Sequence, residues 1–384
     1  MLWLYKLRLF LALRHFDDAI PSPASTSPRL RAQVFTQPNF MILDGQLPAS
    51  IAAAAQALQR GELLGLPTET VYGLAADAGN DQAVAKIFEA KGRPANHPLI
   101  VHVASAQGVQ RFASHVPDFA QKLIAAFWPG PLTLILPRRT DVAAVAAGGQ
   151  NSVGLRCPSH PIAHAVLQSA EALGVYGVAA PSANLFGRVS PTTAAHVAGE
   201  FGDDLLIIDG GACDVGIEST IVDCTRAAPV LLRPGVLTPQ QLSDACGVTV
   251  ITPSAPDADA PRASGTLESH YAPVAKVQLM TAADLQKAIN GDAHVNAASN
   301  ADAAACLPVA VWARSPLQVP ATNARQFKCQ TMPTSAQDCA YQLFAQLRSF
   351  DAQGVAQIWV EIPPLTPEWD GVRDRLTRAA TPTR

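Results

Sequence analysis

Two cationic side chains, Lys91 and Arg93, are separated by a single glycine and followed by Pro94. A lysine offers a compact positive charge and an arginine a bidentate fork, so together they suit a polyphosphate group. The polar run 68–70 follows a predicted strand at 62–66, and strand ends are where open α/β sheets bind ligands. Cations also stabilise the C-terminal end of a helix, so a solvated helix end is the alternative that the spacing leaves open.

Small polar residues and a further arginine follow two other predicted strands. Ser182 and Asn184 come after a strand at 178–180, where their hydroxyl, amide and backbone N–H groups could cradle a phosphate or recognise a base. An ordinary loop with Ser190 as the N-cap of the next helix explains the same residues. Arg156 ends a strand, and this position favours a carboxylate clamp over a solvated helix face.

The later part of the chain adds hydroxyls, an arginine and an aromatic pair. Two predicted strands, 220–223 and 230–232, would deliver Ser219 and Arg233 to one place. A His-Tyr pair lies in SHYAP (269–273), although a lone histidine more often has a packing or surface role than a chemical one. The sequence lacks the P-loop, the dinucleotide-binding glycine motif, the H-E-x-x-H zinc motif and the G-x-S-x-G elbow. ATP chemistry in this chain would therefore need a different phosphate site.

Alternating strands and helices are predicted to position these residues, because the apolar residues follow both periods in turn. Asn80 is predicted to cap a helix that ends at Gly92. The other predicted helices lie at 49–60, 118–127, 162–173 and 192–199, and the strands at 62–66, 99–103, 132–136, 153–156, 178–180, 205–208, 220–223 and 230–232. We therefore predict an α/β domain over residues 41–239.

A second domain and two irregular segments complete the predicted organisation. Residues 240–274 contain a Pro/Ala/Ser/Asp-rich run, which is typical of a linker. Residues 275–384 again alternate strands and helices, which predicts a smaller α/β domain. Within residues 1–40, the first sixteen are apolar but interrupted by lysine and arginine, and a Pro/Ser-rich run follows. We predict a disordered extension or a start codon placed too early, with a membrane-surface helix as the alternative.

Composition excludes several classes of protein. With 384 residues, 48% of them apolar, the chain is not disordered throughout. Its longest purely apolar stretch, 303–313, is shorter than the ~20 residues of a membrane-spanning helix. The seven cysteines are scattered, which argues against a disulfide framework or a zinc site and favours a reducing, cytoplasmic location. The net charge of −3 gives no bulk attraction to nucleic acid.

Taken in order, these segments resemble the threonylcarbamoyl-AMP synthase family of YrdC-like enzymes. The matching strings are PTETVYGL, Lys91-x-Arg93, PLIVH, WPGPLT, Ser182-x-Asn184, ESTIVD and LRPG. HYAP, AYQLFAQLRSFDAQGVAQIWVE and DRLTRAA resemble the long, two-domain form of the family, so the resemblance covers residues 41–384. It implies a twisted α/β domain with a deep, concave, basic cavity, and a smaller Rossmann-like α/β domain at the C-terminus.

The resemblance also implies a nucleotidyltransferase that converts L-threonine, bicarbonate and ATP into threonylcarbamoyl-adenylate and pyrophosphate. Partner proteins would use this adenylate to modify the adenosine beside the anticodon of tRNAs. Mg²⁺ would be carried on the ATP phosphates, because no acidic cluster in the sequence marks a metal site. One alternative is a regulatory protein that binds duplex RNA or tRNA in the same cavity without adenylation. Another is the adenylation module of hydrogenase maturation, whose zinc-finger cysteine pairs this chain lacks.

Site residues are assigned by the same resemblance. The catalytic set is Lys91, Arg93, Ser182 and Asn184. The ATP contacts are Arg93, His97, Ser152, Ser182, Ser190, Arg233, His270 and Tyr271, and the L-threonine contacts are Thr70, His102, Arg156, Ala180 and Ser219. No protein metal ligand is assigned. Position 97 is His where the family often has Asn, and the linker reads SGTLESHYAP where many members have a Pro-Gly-Met-aromatic run. A linker that ends in a ligand-contacting His-Tyr pair would act as a closing lid.

Overall fold

The structure is a computed structural model that describes residues 42–253, 260–266, 270–291, 308–319 and 327–381. The predicted extension at 1–40 lies outside these residues, as do residues 254–259 and 267–269 of the predicted linker. Within the described residues, the strands form two sheets, one in each of two α/β domains. The first sheet is mixed and has ten strands, and the second has four parallel strands.

The larger sheet has the strand order β1-β8-β2-β3-β7-β4-β6-β5-β9-β10. Its strands are β1 (Ile42–Asp44), β2 (Leu64–Leu66), β3 (Gly73–Asp77), β4 (Ile100–His102), β5 (Leu132–Pro137), β6 (Ser152–Arg156), β7 (Val178–Ala179), β8 (Leu206–Asp209), β9 (Thr220–Asp223) and β10 (Val230–Arg233). In the central part, β4 pairs in parallel with β6 and antiparallel with β7. The register places His102 opposite both Arg156 and Val178. Residues assigned from separate parts of the sequence are therefore neighbours in the sheet.

Seven helices of the described residues pack with this sheet. They are α1 (Pro48–Gln59), α2 (Asp81–Lys91), α3 (Val109–Phe112), α4 (Asp118–Phe127), α5 (Pro161–Ala172), α6 (Ala194–Phe201) and α7 (Pro239–Cys246). The helix α7 lies in the segment predicted as a linker. Thr238 and Gln241 form a capping box at its start. The T-x-x-Q spacing is a sequence signal for a helix start, but the Pro/Ala/Ser/Asp-rich run that follows led to the prediction of a linker.

The helix α2 shows how local sequence positions the two cations. The Asn80 side chain accepts hydrogen bonds from the backbone N–H groups of Gln82 and Ala83, as predicted for an N-cap. The helix ends where Gly92 adopts a left-handed conformation, with φ of 61°, which glycine allows without strain. Lys91 is therefore in the last turn, and Arg93 leaves the helix in a new direction.

The smaller domain has the strand order β11-β14-β12-β13. Its elements are β11 (Lys276–Met280), α8 (Ala282–Asn290), β12 (Val309–Ala313), β13 (Phe327–Thr331), α9 (Ala336–Ala352), β14 (Gln357–Glu361) and α10 (Asp370–Ala380). The strand β13 was not predicted, because it is an edge strand whose residues are mostly exposed. In the larger sheet, β3 was also missed, since GLAAD contains no β-branched or aromatic residue.

The two domains share apolar packing. Val71, Val189 and Ile217 of the larger domain belong to the same buried cluster as the core of the smaller domain. The contact is close: a Cβ on Gly371 of α10 would lie 2.6 Å from the carbonyl oxygen of Gly235. The smaller domain therefore packs directly against the chain segments that carry Ser219 and Arg233.

Candidate active site

A polar cavity of about 480 Å³ lies beside strand ends of the larger sheet and beside two segments of the predicted linker. Most of the assigned residues line it, namely Thr70, Arg93, His102, Arg156, Ala180, Ser182, Ser219, Arg233, His270 and Tyr271. His97 lines a neighbouring cavity of about 420 Å³ that shares Arg93 and His270. Ser152 lines another, of about 280 Å³, that shares Ile100 and Ser264. The structure therefore brings together residues from eight separate chain segments.

Lys91 and Asn184 lie behind the lining of these cavities. The Lys91 ammonium donates hydrogen bonds to the carbonyl oxygens of Ser182, at 2.6 Å, and of Asn184. Asn184 donates to the carbonyl oxygens of Leu185 and Arg188 at 2.7 and 3.0 Å, and its buried Oδ1 has no hydrogen-bond partner among the described residues. Burial, and then the charge of Arg93, lowers the pKa of Lys91 well below its usual value. In this structure Lys91 ties the 182–184 loop to helix α2.

Two arginines of the cavity wall and Lys91 behind it are buried. Lys91, Arg93 and Arg233 are only 3%, 8% and 2% exposed. Within the described residues, no carboxylate lies within ion-pair distance of any of the three. Burial lowers the pKa of Arg93 to about 10, so its guanidinium stays charged at neutral pH. A buried charge that lacks a partner is costly, so this wall is suited to an anion.

The two arginines are held by backbone carbonyls. Arg93 Nη2 donates to the carbonyl oxygen of Pro98 at 3.0 Å, and its buried Nε has no hydrogen-bond partner in the part of the chain that the structure describes. Arg233 donates to the carbonyl oxygen of Ser219 through Nε and Nη2, at 3.1 and 2.8 Å, and to that of Ser264 through Nη1, at 2.8 Å. Carbonyl oxygens orient both guanidinium groups and leave their charge available to a ligand.

Arg156, by contrast, already has a carboxylate partner. Its Nη2 lies 2.7 Å from Oε1 of Glu69, and both side chains are buried. Its Nη1 donates to Thr70 Oγ1 at 2.8 Å. Burial, and then the charge of Arg156, lowers the pKa of His102 to about 3, so this imidazole is neutral at physiological pH. This part of the cavity combines hydroxyls, a neutral histidine and a neutralised arginine.

Glu218 connects several cavity residues and was not predicted. It lines the cavity, accepts a hydrogen bond from Ser190 Oγ at 2.5 Å, and lies 2.8 Å from Nε of Arg375. The interpretation of Ser190 as a helix N-cap is wrong, because Thr193 caps α6. Glu69, Glu218 and Arg375 all lie in strings that carried the family resemblance, but their local spacing gave no signal that they would meet other residues of the site.

The linker segments lie over the cavity and are fixed to the larger domain. Gln150 exchanges two hydrogen bonds with the backbone of Arg262, at 2.8 and 3.2 Å. The rings of His270 and Tyr271 are in edge contact, with centroids 4.2 Å apart. Gly265 has φ of +74°, and a Cβ there would lie 2.4 Å from the Tyr271 hydroxyl. A side chain at position 265 would therefore force the Tyr271 hydroxyl, or the Arg233 Nη1 that lies 2.7 Å from the same Cβ, to shift.

Across the described ranges, no group of three or more His, Cys, Asp or Glu side chains is placed to hold a metal ion. Among the helices of those ranges, none combines the length and the apolar character that a bilayer crossing requires.

Comparison with known proteins gives two matching sequence families. Residues 56–235 match a family described as "Telomere recombination". Residues 237–381 match "Threonylcarbamoyl-AMP synthase, C-terminal domain". The two matches meet next to helix α7 and together span both α/β domains.

Individual relatives agree with these matches. The threonylcarbamoyl-AMP synthase of Pyrococcus abyssi is 45% identical over 230 residues, which are 59% of this chain and 66% of that protein. The synthase of Schizosaccharomyces pombe is 32% identical over 385 residues, covering 90% of this chain and 92% of the relative. The crystal structure of P. abyssi Sua5 complexed with L-threonine superposes with a TM-score of 0.75 at 35% identity, covering 86% of this chain and 94% of that one.

Both α/β domains of this chain thus have counterparts in the same proteins. The match to the S. pombe synthase runs through both domains, as does the likeness to the P. abyssi crystal structure. The chain therefore belongs to the threonylcarbamoyl-AMP synthase family, nucleotidyltransferases that serve the threonylcarbamoyladenosine modification of tRNA.

Proposed function

We propose that this chain uses ATP, L-threonine and bicarbonate to make threonylcarbamoyl-adenylate and pyrophosphate. The observation that carries the proposal is the pair of buried arginines in the cavity wall, Arg93 and Arg233, which have no carboxylate within ion-pair distance among the described residues. A triphosphate supplies the missing negative charge, and the two arginines can bind its oxygens through paired N–H groups.

The threonine half of the cavity is the part lined by Thr70, His102, Arg156, Ala180 and Ser219. L-threonine carries one carboxylate and one ammonium group, with no net charge. In our proposal Arg156 binds the carboxylate with the part of its fork that Glu69 leaves free. Neighbouring hydroxyls and carbonyls orient the amine and the side chain. A relative bound to L-threonine supports placing the amino acid in this fold.

The nucleotide half is the part lined by Arg93, Ser182, Arg233, His270 and Tyr271. His97 and Ser152 extend it into the two adjoining cavities. Ser190 would act through Glu218, to which it donates a hydrogen bond. Lys91 and Asn184 would act by fixing the 182–184 loop, rather than by direct contact with phosphate as the resemblance implied.

The reaction needs little covalent chemistry from the protein. The threonine amine combines with bicarbonate to give a carbamate and water, and a carbamate oxygen then attacks the α-phosphorus of ATP. A new O–P bond forms as the bond to the pyrophosphate oxygen breaks. Arg93 and Arg233 stabilise the charge that moves onto the leaving group. Orientation of two substrates in a closed cavity supplies the rest of the rate acceleration.

Several finer assignments complete the proposal. The cavity would be the concave, basic cavity of a YrdC-like domain, and the four-stranded parallel sheet a Rossmann-like domain. Mg²⁺ would travel on the ATP phosphates, since Glu218, a carboxylate in the cavity wall, is engaged by Arg375. The linker would act as a lid. The adenylate would pass to tRNA-modification partners in the cytoplasm, with direct duplex RNA or tRNA binding as a further possibility.

Pyrophosphate release by the purified chain tests this function. With Mg²⁺ and ATP present, we expect release that requires both L-threonine and bicarbonate. Release that needs neither substrate would indicate a different adenylation. A folded chain that releases no pyrophosphate but binds duplex RNA, with an affinity that falls steeply with salt, would instead support the regulatory alternative.

Substituting Lys91 tests the tether between α2 and the 182–184 loop. We expect Lys91→Met to lower kcat roughly 100-fold, the scale seen when a preorganised donor is lost from an active site, because two buried carbonyls lose their donor. Lys86→Met is the control, since Lys86 lies on the same helix and donates to the carbonyl oxygen of Gly61 at 2.6 Å, away from the cavity. Equal turnover by the two folded variants would contradict the tether.

Substituting Arg156 tests the threonine half. We expect Arg156→Lys to raise the KM for L-threonine at least about tenfold, or ~1.4 kcal/mol, because lysine cannot bind Glu69 and a ligand carboxylate as a fork does. The KM for ATP should change much less. Arg60→Lys alters an exposed arginine–glutamate pair and serves as the control. An equal rise in both KM values would overturn the assignment.

A further inference from the structure

Arg375 joins the smaller domain to the catalytic cavity. It lies on α10, is fully buried, and is 157 residues from Glu218 in the sequence. Its Nε binds Glu218 Oε2 at 2.8 Å, and its Nη2 binds the carbonyl oxygen of Glu218 at 3.1 Å. Its Nη1 binds the carbonyl oxygen of Pro234 at 2.7 Å. One guanidinium group therefore holds two separate segments of the larger domain.

These two segments flank Arg233, a cation of the nucleotide half. Pro234 is its chain neighbour, and the carbonyl oxygen of Ser219, the residue after Glu218, accepts two hydrogen bonds from the Arg233 guanidinium. Fixing the backbone at 218 and 234 therefore fixes both the base of the Arg233 side chain and the carbonyl that orients its tip. The guanidinium carbon of Arg375 also lies 5.4 Å from the centre of the Tyr271 ring, within the range of a cation–π contact.

The charge of Glu218 also connects Arg375 to Arg233. Glu218 is a buried carboxylate whose negative charge acts on both Arg375 and Arg233. Burial raises the pKa of Glu218, but these two arginines, together with the hydrogen bond from Ser190, more than offset that effect and leave the pKa below its usual value. If Arg375 were absent, Arg233 would have to balance the buried negative charge of Glu218. Because Arg375 balances the negative charge of Glu218, the positive charge of Arg233 remains available to bind the ligand.

A second arginine of the smaller domain reaches the same region. Arg348 on α9 pairs with Glu200 at 2.8 Å and donates to the backbone carbonyls of Val189 and Ser190. Ser190 is the residue whose hydroxyl binds Glu218. The smaller domain thus contacts the Glu218–Ser190 pair from two helices, α9 and α10.

We propose that Arg375 is a positioning residue of the enzyme, through which the smaller domain sets the backbone geometry and the charge balance of the nucleotide half. This inference rests on the proposed function, since it assumes that Arg233 binds the ATP phosphates. The smaller domain is then a structural part of the active site.

The test measures KM for ATP, KM for L-threonine and kcat from pyrophosphate release in Arg375→Met, with thermal unfolding of each variant. We expect the KM for ATP to rise at least about tenfold and by more than the KM for L-threonine. Arg314→Met is the matched control. Arg314 also pairs with a glutamate, Glu361, and lies over an aromatic ring, that of Trp369, but within the smaller domain. We expect this control to lower Tm without changing either KM.

A double variant separates positioning from simple loss of packing. Adding Glu218→Gln to Arg375→Met removes the buried negative charge that Arg233 would otherwise have to balance. We therefore expect the KM for ATP to fall at least part of the way back to the wild-type value. A double variant as impaired as the sum of its two single variants would overturn the charge argument.

Two further outcomes are a misfolded Arg375→Met variant and a wild-type chain that releases no pyrophosphate. Should Arg375→Met not fold, Arg375→Lys carries the test, because lysine keeps the charge but cannot hold Glu218 and Pro234 at once. An unchanged KM for ATP in folded Arg375→Lys would then overturn the proposal, and a raised KM at wild-type Tm would support it. A folded wild-type chain that releases no pyrophosphate would instead refute the proposed function itself.

Discussion

Uncompensated positive charge buried beside the cavity is the constraint on which the rest of the structure depends. Lys91, Arg93 and Arg233 are almost fully removed from water, and each donates hydrogen bonds to backbone carbonyls. Burying such a charge lowers the free energy of unfolding unless an anion pairs with it. The helix that ends at Gly92, the 182–184 loop and the linker segments can all be understood as supports for these three side chains.

The two halves of the cavity differ in how their arginines are balanced. Arg156 is paired with Glu69, whereas Arg93 and Arg233 have no carboxylate within ion-pair distance among the described residues. A neutralised half suits an amino acid that carries both charges, and a cationic half suits a triphosphate. If the charge of Glu218 acted on Arg233 alone, it would neutralise Arg233 as Glu69 neutralises Arg156, and the two halves would no longer differ. Arg375, from the other domain, binds Glu218 and so preserves the difference.

Local signals in the sequence predicted much of the fold. The cap at Asn80, the end at Gly92, and the bounds of the elements Asp118–Phe127 and Thr220–Asp223 are as predicted. Most of the cavity lining was assigned by family resemblance rather than by spacing. What neither could reveal is contact between distant residues: the Arg156–Glu69 and Arg375–Glu218 pairs form only when strands and domains pack together. Lys91 was assigned to the phosphate site by resemblance, and its hydrogen bonds to the carbonyls of Ser182 and Asn184 are likewise contacts that the local sequence did not predict.

The most direct test of the account is to follow isotopically labelled bicarbonate into product. The purified full chain is incubated with ATP, Mg²⁺, L-threonine and the label, and the nucleotides are separated and analysed by mass spectrometry. The account predicts an adenylate that carries both the threonine and the labelled carbonyl, formed only when all three substrates are present. Consumption of ATP by the folded chain without any labelled adenylate would contradict it.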